Sequence, residues 1–136
     1  PTLEQEQKRA LEIFKDFPAP ELGYTEITKK YDDAETVRVQ LTRIKENWPE
    51  FKKKLQGQVY SFSRMQDLLR KAGAPYDPSM IGVTRGMLRN MFPKVQLMRF
   101  RFNVLDLAKR GMFYDQLVDA VFAPGAAWDL TKEVMR

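Results

Sequence analysis

Residues 34–55 read AETVRVQLTRIKENWPEFKKKL, and the apolar members Val37, Leu41, Ile44, Trp48, Phe51 and Leu55 are spaced 4, 3, 4, 3 and 4. This alternation marks an apolar seam on a helical face, because residues three and four apart lie on one side of an α-helix. The seam runs down one helix, or down two that meet at Pro49, since proline lacks the ladder donor and suits a first helical turn. The polar positions carry Arg38, Arg43, Lys45, Lys52, Lys53 and Lys54 with Glu35, Glu46 and Glu50 interleaved. Mixed signs of this kind read as a solvated face rather than a nucleic-acid surface.

The rest of the chain repeats the helical signal. Thr2 to Phe17 reads as an amphipathic helix capped by Thr2, with Leu3, Ala10, Leu11, Phe14 and Phe17 on one flank; Pro18 and Pro20 end it. Glu21 to Asp33 is short and mixed, a turn of helix plus loop. Ser63-Arg64-Met65-Gln66 has the form of a capping box, and Gly73 stands where a helix-ending glycine belongs. Asp77-Pro78 starts a tight turn with Met80 and Ile81 as buried anchors. Thr84 caps a helix through Met87, Leu88 and Met91, which Pro93 is expected to kink or split before Val95, Leu97 and Met98. Asn103 is the next cap, Gly111 ends its helix, and Met112 to Phe122 turns Leu117, Val118 and Val121 inward. Ala123 to Gly125 breaks the pattern, and residues 123–136 form a last short helix or a loose tail. Gln58 to Phe62 alternates weakly, too little for a sheet. The expected fold is all-α: one domain over residues 1–136, a bundle of about six to eight short helices.

Composition excludes many chemistries. The 136 residues contain neither Cys nor His. Disulfides, thiolate nucleophiles, zinc fingers and imidazole bases are therefore absent, so no catalytic or metal-ligating residue is assigned. Lys and Arg number 23 against 18 Asp and Glu, a net charge of +5 that is compatible with an anionic partner. No apolar run approaches the roughly 18 residues of a membrane span. The lack of cysteine fits the cytoplasm. Pro1 is not an initiator Met, so the chain is expected to begin after processing or to be a piece of a longer protein.

Three constellations could carry function. No acid lies between Asp77 and Asp106, whereas Arg85, Arg89, Lys94, Arg99 and Arg101 do. Arg99 and Arg101 would point about 200 degrees apart on a regular helix. Both could converge on one anion if the chain leaves helical geometry before Asn103, because the guanidinium fork suits phosphate or carboxylate. Met98-Arg99-Phe100-Arg101-Phe102 interleaves aromatics with cations as single-stranded nucleic-acid binders do, but Phe100 and Phe102 are expected in the core. Asp32-Asp33 with Glu35, and Glu4 with Glu6, lack calcium-loop spacing and read as helix-start devices. The scattered glycines form neither a dinucleotide fingerprint nor a phosphate loop.

The second half also carries a resemblance. Leu68-Leu69-Arg70-Lys71-Ala72-Gly73-Ala74-Pro75, then Pro78, then Ile81-Gly82-Val83-Thr84-Arg85, resembles a segment of the bacterial sn-glycerol-1-phosphate dehydrogenases. Met98-Arg99-Phe100-Arg101-Phe102-Asn103-Val104-Leu105-Asp106-Leu107 resembles their later segment, and Gly111 with the helix to Phe122 parallels their closing helix. Met80, Phe100 and Phe102 stand where that family usually has Glu, Asp and Tyr.

The resemblance spans residues 61–122. It implies the helical C-terminal part of a two-domain, metal-dependent NAD(P) enzyme interconverting dihydroxyacetone phosphate and glycerol 1-phosphate. The partner would be an N-terminal α/β nucleotide-binding domain, which would hold NAD(P) and a zinc or nickel ion. Only Arg99, Arg101 and Asp106 fall on recurring positions of the family pattern. Arg99 and Arg101 become candidate contacts to the substrate phosphate, and Asp106 a helix cap or a partner of one of these arginines. The isolated chain is expected to be inactive, and self-association is expected where the partner's absence bares apolar surface. The competing expectation is a free-standing basic all-α module that binds protein or nucleic acid.

Overall fold

The computed structural model describes residues 1–132. They form eight α-helices: α1 Leu3–Phe14, α2 Leu22–Lys30, α3 Ala34–Glu46, α4 Trp48–Gln58, α5 Phe62–Lys71, α6 Arg85–Leu97, α7 Val104–Arg110 and α8 Tyr114–Phe122. Two 3-10 turns, Pro78–Ile81 and Leu130–Lys132, complete the described elements, and no strand occurs among them. The fold is all-α.

Side-chain caps set most helix starts. Thr2 and Gln5 form a reciprocal capping box on α1, and Asp33 accepts the Thr36 N–H at the start of α3. Thr84 caps α6 through the Met87 N–H. Asn103 and Asp106 form a second reciprocal box on α7, satisfying donors that a bare helix end leaves open. The cap of α5 is Ser61, which accepts the Arg64 N–H; the Ser63 box expected from the sequence lies two residues too late. α5 ends in a Schellman motif: the Ala74 N–H reaches the Leu69 carbonyl, the Gly73 N–H reaches Arg70, and Gly73 takes a left-handed φ of +68°.

The core sits where α1, α2 and α6 meet. Ala10, Phe14, Ile27 and Leu97 are buried together, with Ile13, Phe17 and Leu22 packed around them. A Cβ on Gly23 would stand 2.7 Å from the Phe14 ring, so the glycine permits the close approach of α2 to α1. The stretch expected to be a turn plus loop is thus a nine-residue helix that supplies one wall of the core. Elsewhere Phe92 of α6 meets Phe122 of α8 edge-on at 5.3 Å, and Leu105, Ala108 and Val118 are also buried.

Other expectations need correction. Met80 and Ile81, in the 3-10 turn, are exposed rather than buried anchors, and Leu11 on α1 is exposed too. Pro93 lies inside a continuous α6 and does not split it. The seam of residues 37–55 does divide at Asn47 and Pro49, but no residue of α3 or α4 is buried. Trp48 and Phe51 remain 44% and 40% exposed. After α8 the chain is better ordered than a loose tail. Trp128 packs edge-on against Phe62 at 4.8 Å, and the buried Asp129 carboxylate accepts the Gly125 and Thr131 N–H groups. Residues 133–136 of that expected tail lie outside the described residues. No described helix is long and apolar enough to cross a membrane.

Candidate functional site

The most elaborate polar arrangement lies under the joint of α2, α6 and α7. Lys30 ends α2 with its side chain only 5% exposed, and its Nζ donates to Asp106 Oδ1 at 2.7 Å, an acid 4% exposed. The same Nζ donates to the Gln96 carbonyl. Gln96 Nε2 donates to Asp106 Oδ1 at 2.7 Å, while Asp106 Oδ2 accepts the Asn103 N–H at 2.9 Å. Arg9 of α1 bridges Gln96 Oε1 and Glu6, at 3.0 and 2.7 Å. A buried ion pair is sustained when additional hydrogen bonds accompany it, and here Asp106 accepts from Gln96 and Asn103 as well as Lys30.

Arg110, at the end of α7, extends the arrangement to α3. Its guanidinium pairs with Asp32 at 2.7 Å, donates to Gln40 Oε1 and to the Lys30 carbonyl at 3.0 Å, and lies over the Phe102 ring at 4.9 Å. Two grooves flank this joint. One, of about 590 Å³, has Ile27, Val37, Gln96, Asp106 and Tyr114 in its walls. The other, of about 520 Å³, is walled by Tyr31, Gln40, Ile44, Phe102 and Arg110. Tyr114 contributes a buried hydroxyl without a hydrogen-bond partner, and burial raises its pKa.

The candidate phosphate contacts lie in the connector between α6 and α7. The chain leaves helical geometry after Leu97 and resumes it at Val104, so Arg99 and Arg101 lie outside any helix. Both are exposed, with no ion-pair or hydrogen-bond partner among the described residues. Neither lines the two grooves beside Lys30 and Arg110. The other arginines of the acid-free stretch are occupied: Arg85 donates to the Asp129 carbonyl and pairs with Asp77, and Arg89 pairs with Asp119. The connector is tethered by Glu26, which accepts the Phe100 N–H at 2.6 Å. The hydrogen bond from Lys29, reinforced by this backbone donor, keeps the Glu26 carboxyl below its ordinary pKa.

Two expectations about this region change. Phe100 and Phe102 are exposed rather than core residues, because Glu26 and the Asn103 cap pin the backbone and leave both rings outward, near Lys29 and Arg110. Asp106 caps its helix as expected, but its cation is Lys30, not Arg99 or Arg101. Lys30 and Arg110 had no legible signature, since their partners lie 66 to 80 residues away in sequence, and Gln96 meets Arg9 across 87 residues. The Glu6–Arg9 and Glu26–Lys29 pairs had the i, i+3 spacing of helix-surface ion pairs.

The group-binding chemistry implied by the resemblance finds no fit among these side chains. No cluster of three or more His, Cys, Asp or Glu able to hold a metal occurs among the described residues, and no glycine-rich turn opens a helix toward a dinucleotide. The well-held cations Lys30 and Arg110 face carboxylates, so this joint is built to fix three helices rather than to move protons. The fold therefore defines an all-α body with a hydrogen-bonded polar joint and an exposed arginine connector. No protein-family model, curated protein or solved structure matches the chain.

Proposed function

We propose that this chain is the helical part of an NAD(P)-dependent polyol-phosphate dehydrogenase similar to sn-glycerol-1-phosphate dehydrogenase, in which Arg99 and Arg101 receive the phosphate of a three-carbon substrate. The observation that carries this reading is the connector itself. Two unpartnered arginines stand in a non-helical segment inside the resembling stretch, tethered by Glu26 on one side and the Asn103–Asp106 box on the other. Arginines held this way lose little backbone freedom on meeting a dianion. NAD(P), the metal and the hydride-transfer chemistry belong to an α/β partner domain of the same protein. This chain contributes charge and cleft wall.

The extent of the surface supports a missing partner. At 15.9 kDa a compact monomer exposes about 7,400 Å² by the usual mass scaling. This chain exposes 10004 Å², roughly a third more, and only eight apolar residues are buried among those described.

The test is to express the full reading frame and follow NADH or NADPH oxidation with dihydroxyacetone phosphate and added zinc or nickel. The reading expects turnover, with R99A/R101A raising KM by about tenfold or more while helical circular dichroism is unchanged. Turnover by the 136-residue chain alone, or an unchanged KM in the double variant, would overturn it. A second reading, a free-standing basic nucleic-acid-binding module, draws on the outward Phe100 and Phe102 beside the same arginines. It requires salt-sensitive binding of a single-stranded oligonucleotide that F100A/F102A abolishes.

A further inference from the structure

The α4 half of the seam has no cover. Written as a heptad, Val37, Ile44 and Phe51 take the d positions and Leu41, Trp48 and Leu55 the a positions. Val37, Leu41 and Ile44 are half-buried along the body, but Trp48 and Phe51 stand open, their rings 5.9 Å apart. The flanks of this seam hold no acid, and one is wholly basic: positions e are Arg38, Lys45 and Lys52, and positions g are Gln40, Asn47 and Lys54. The acids Glu35, Glu46 and Glu50 fall on b, f and c, away from the seam. Glu50 reaches Lys54 at 2.8 Å and Glu35 reaches Arg38 at 2.6 Å. Lys45 and Lys52 have no ion-pair partner among the described residues.

From this we infer that α4, with the last turn of α3, is the docking face for an amphipathic helix whose flanks are acidic, carried by a partner protein. Trp48, Phe51 and Leu55 would take the partner's apolar ridge, and Lys45 and Lys52 its carboxylates. Charge selects this occupant. A second copy of the same face would set basic flanks against basic flanks, a juxtaposition that disfavours self-pairing in coiled-coil geometry. The surface excess above that of a compact monomer leaves ample area for one such helix. The inference does not depend on the dehydrogenase reading, because it uses none of the connector.

Two helical peptides of three heptads with identical Leu and Ile cores provide the probe, one with Glu and one with Lys at every flanking position. Binding is read from Trp48 fluorescence in a W128F background and from sedimentation. The Glu peptide should shift the Trp48 emission to the blue, bind about tenfold or more tightly than the Lys peptide, and weaken with salt. The K45E/K52E variant changes only exposed side chains and should reverse that preference, whereas W48A should weaken binding of the Glu peptide. Equal affinity for both peptides would overturn the inference. So would a chain dimer that already covers Trp48, or tighter binding to phosphatidylserine vesicles or to a single-stranded oligonucleotide than to the Glu peptide.

Discussion

Lys30 carries more of this structure than its place at the end of a short helix would suggest. Its ammonium lies between Asp106 and the Gln96 carbonyl, out of water, so removing it leaves a carboxylate uncompensated in a low-dielectric setting. Lys30→Met should destabilise the chain by about 3–5 kcal/mol in urea unfolding, and adding Asp106→Asn should restore roughly half of that loss. A single variant within about 1 kcal/mol of wild type would show that the pair is dispensable. Met112 is strained in a different way. It holds the left-handed φ of +61° in the motif closing α7, where a glycine usually stands, and is 89% exposed. Met112→Gly should therefore stabilise by about 1 kcal/mol, read as a higher midpoint with no change in slope. The sequence pointed to the neighbouring glycine as the helix end, and Gly111 is indeed the last residue at ordinary φ. Its own requirement is steric, since a Cβ there would meet the Phe113 ring at 2.5 Å.

At the scale of elements, caps were legible and burial only in part: Ala10, Phe14 and Val118 are buried as their spacing expects, the α3–α4 seam is not. Thr2, Thr84 and Asn103 announce helix starts because their oxygens meet N–H groups two or three residues on, a local matter. α2 was hidden because its nine residues are of mixed polarity and its start has no side-chain cap. It becomes a core wall only through Gly23, which lets the Phe14 ring come close. Gly23→Ala should thus cost about 1–3 kcal/mol by overpacking, although alanine is the better helix former. A gain in stability instead would mean that the Phe14 ring moves freely. The seam of α3 and α4 taught the reverse lesson: a regular apolar period shows that a face exists, not that this chain covers it.

At the scale of the whole molecule, the final turn closes the α5 side of the body. Asp129 holds it through hydrogen bonds from Thr131 and Gly125, which lower its pKa from the ordinary 3.8 to about 2. A carboxyl that is more acidic when folded favours the folded state above its unfolded pKa and loses that effect as pH falls. Contact of Trp128 with Phe62 should accordingly loosen between about pH 4 and pH 2. Trp128 fluorescence in a W48F background reads the change, and Asp129→Asn should remove the acid transition. Fluorescence that is flat across that interval in the unsubstituted turn would show that the ring contact holds the tail alone.

Sequence by itself determined that this chain is helical, where most helices begin and stop, that it has no imidazole or thiol chemistry, and that its second half concentrates unbalanced arginines. Those features rest on local spacing and on residue inventory, which a linear reading contains. Only the tertiary structure decided which faces meet, that Lys30 rather than an arginine neutralises Asp106, that Phe100 and Phe102 turn outward, and that α4 is left bare. Each of these depends on partners dozens of residues apart and on the competition among several apolar faces for one small core. No periodicity along the chain states the outcome of that competition, because burial is a property of the assembled surfaces rather than of any one helix.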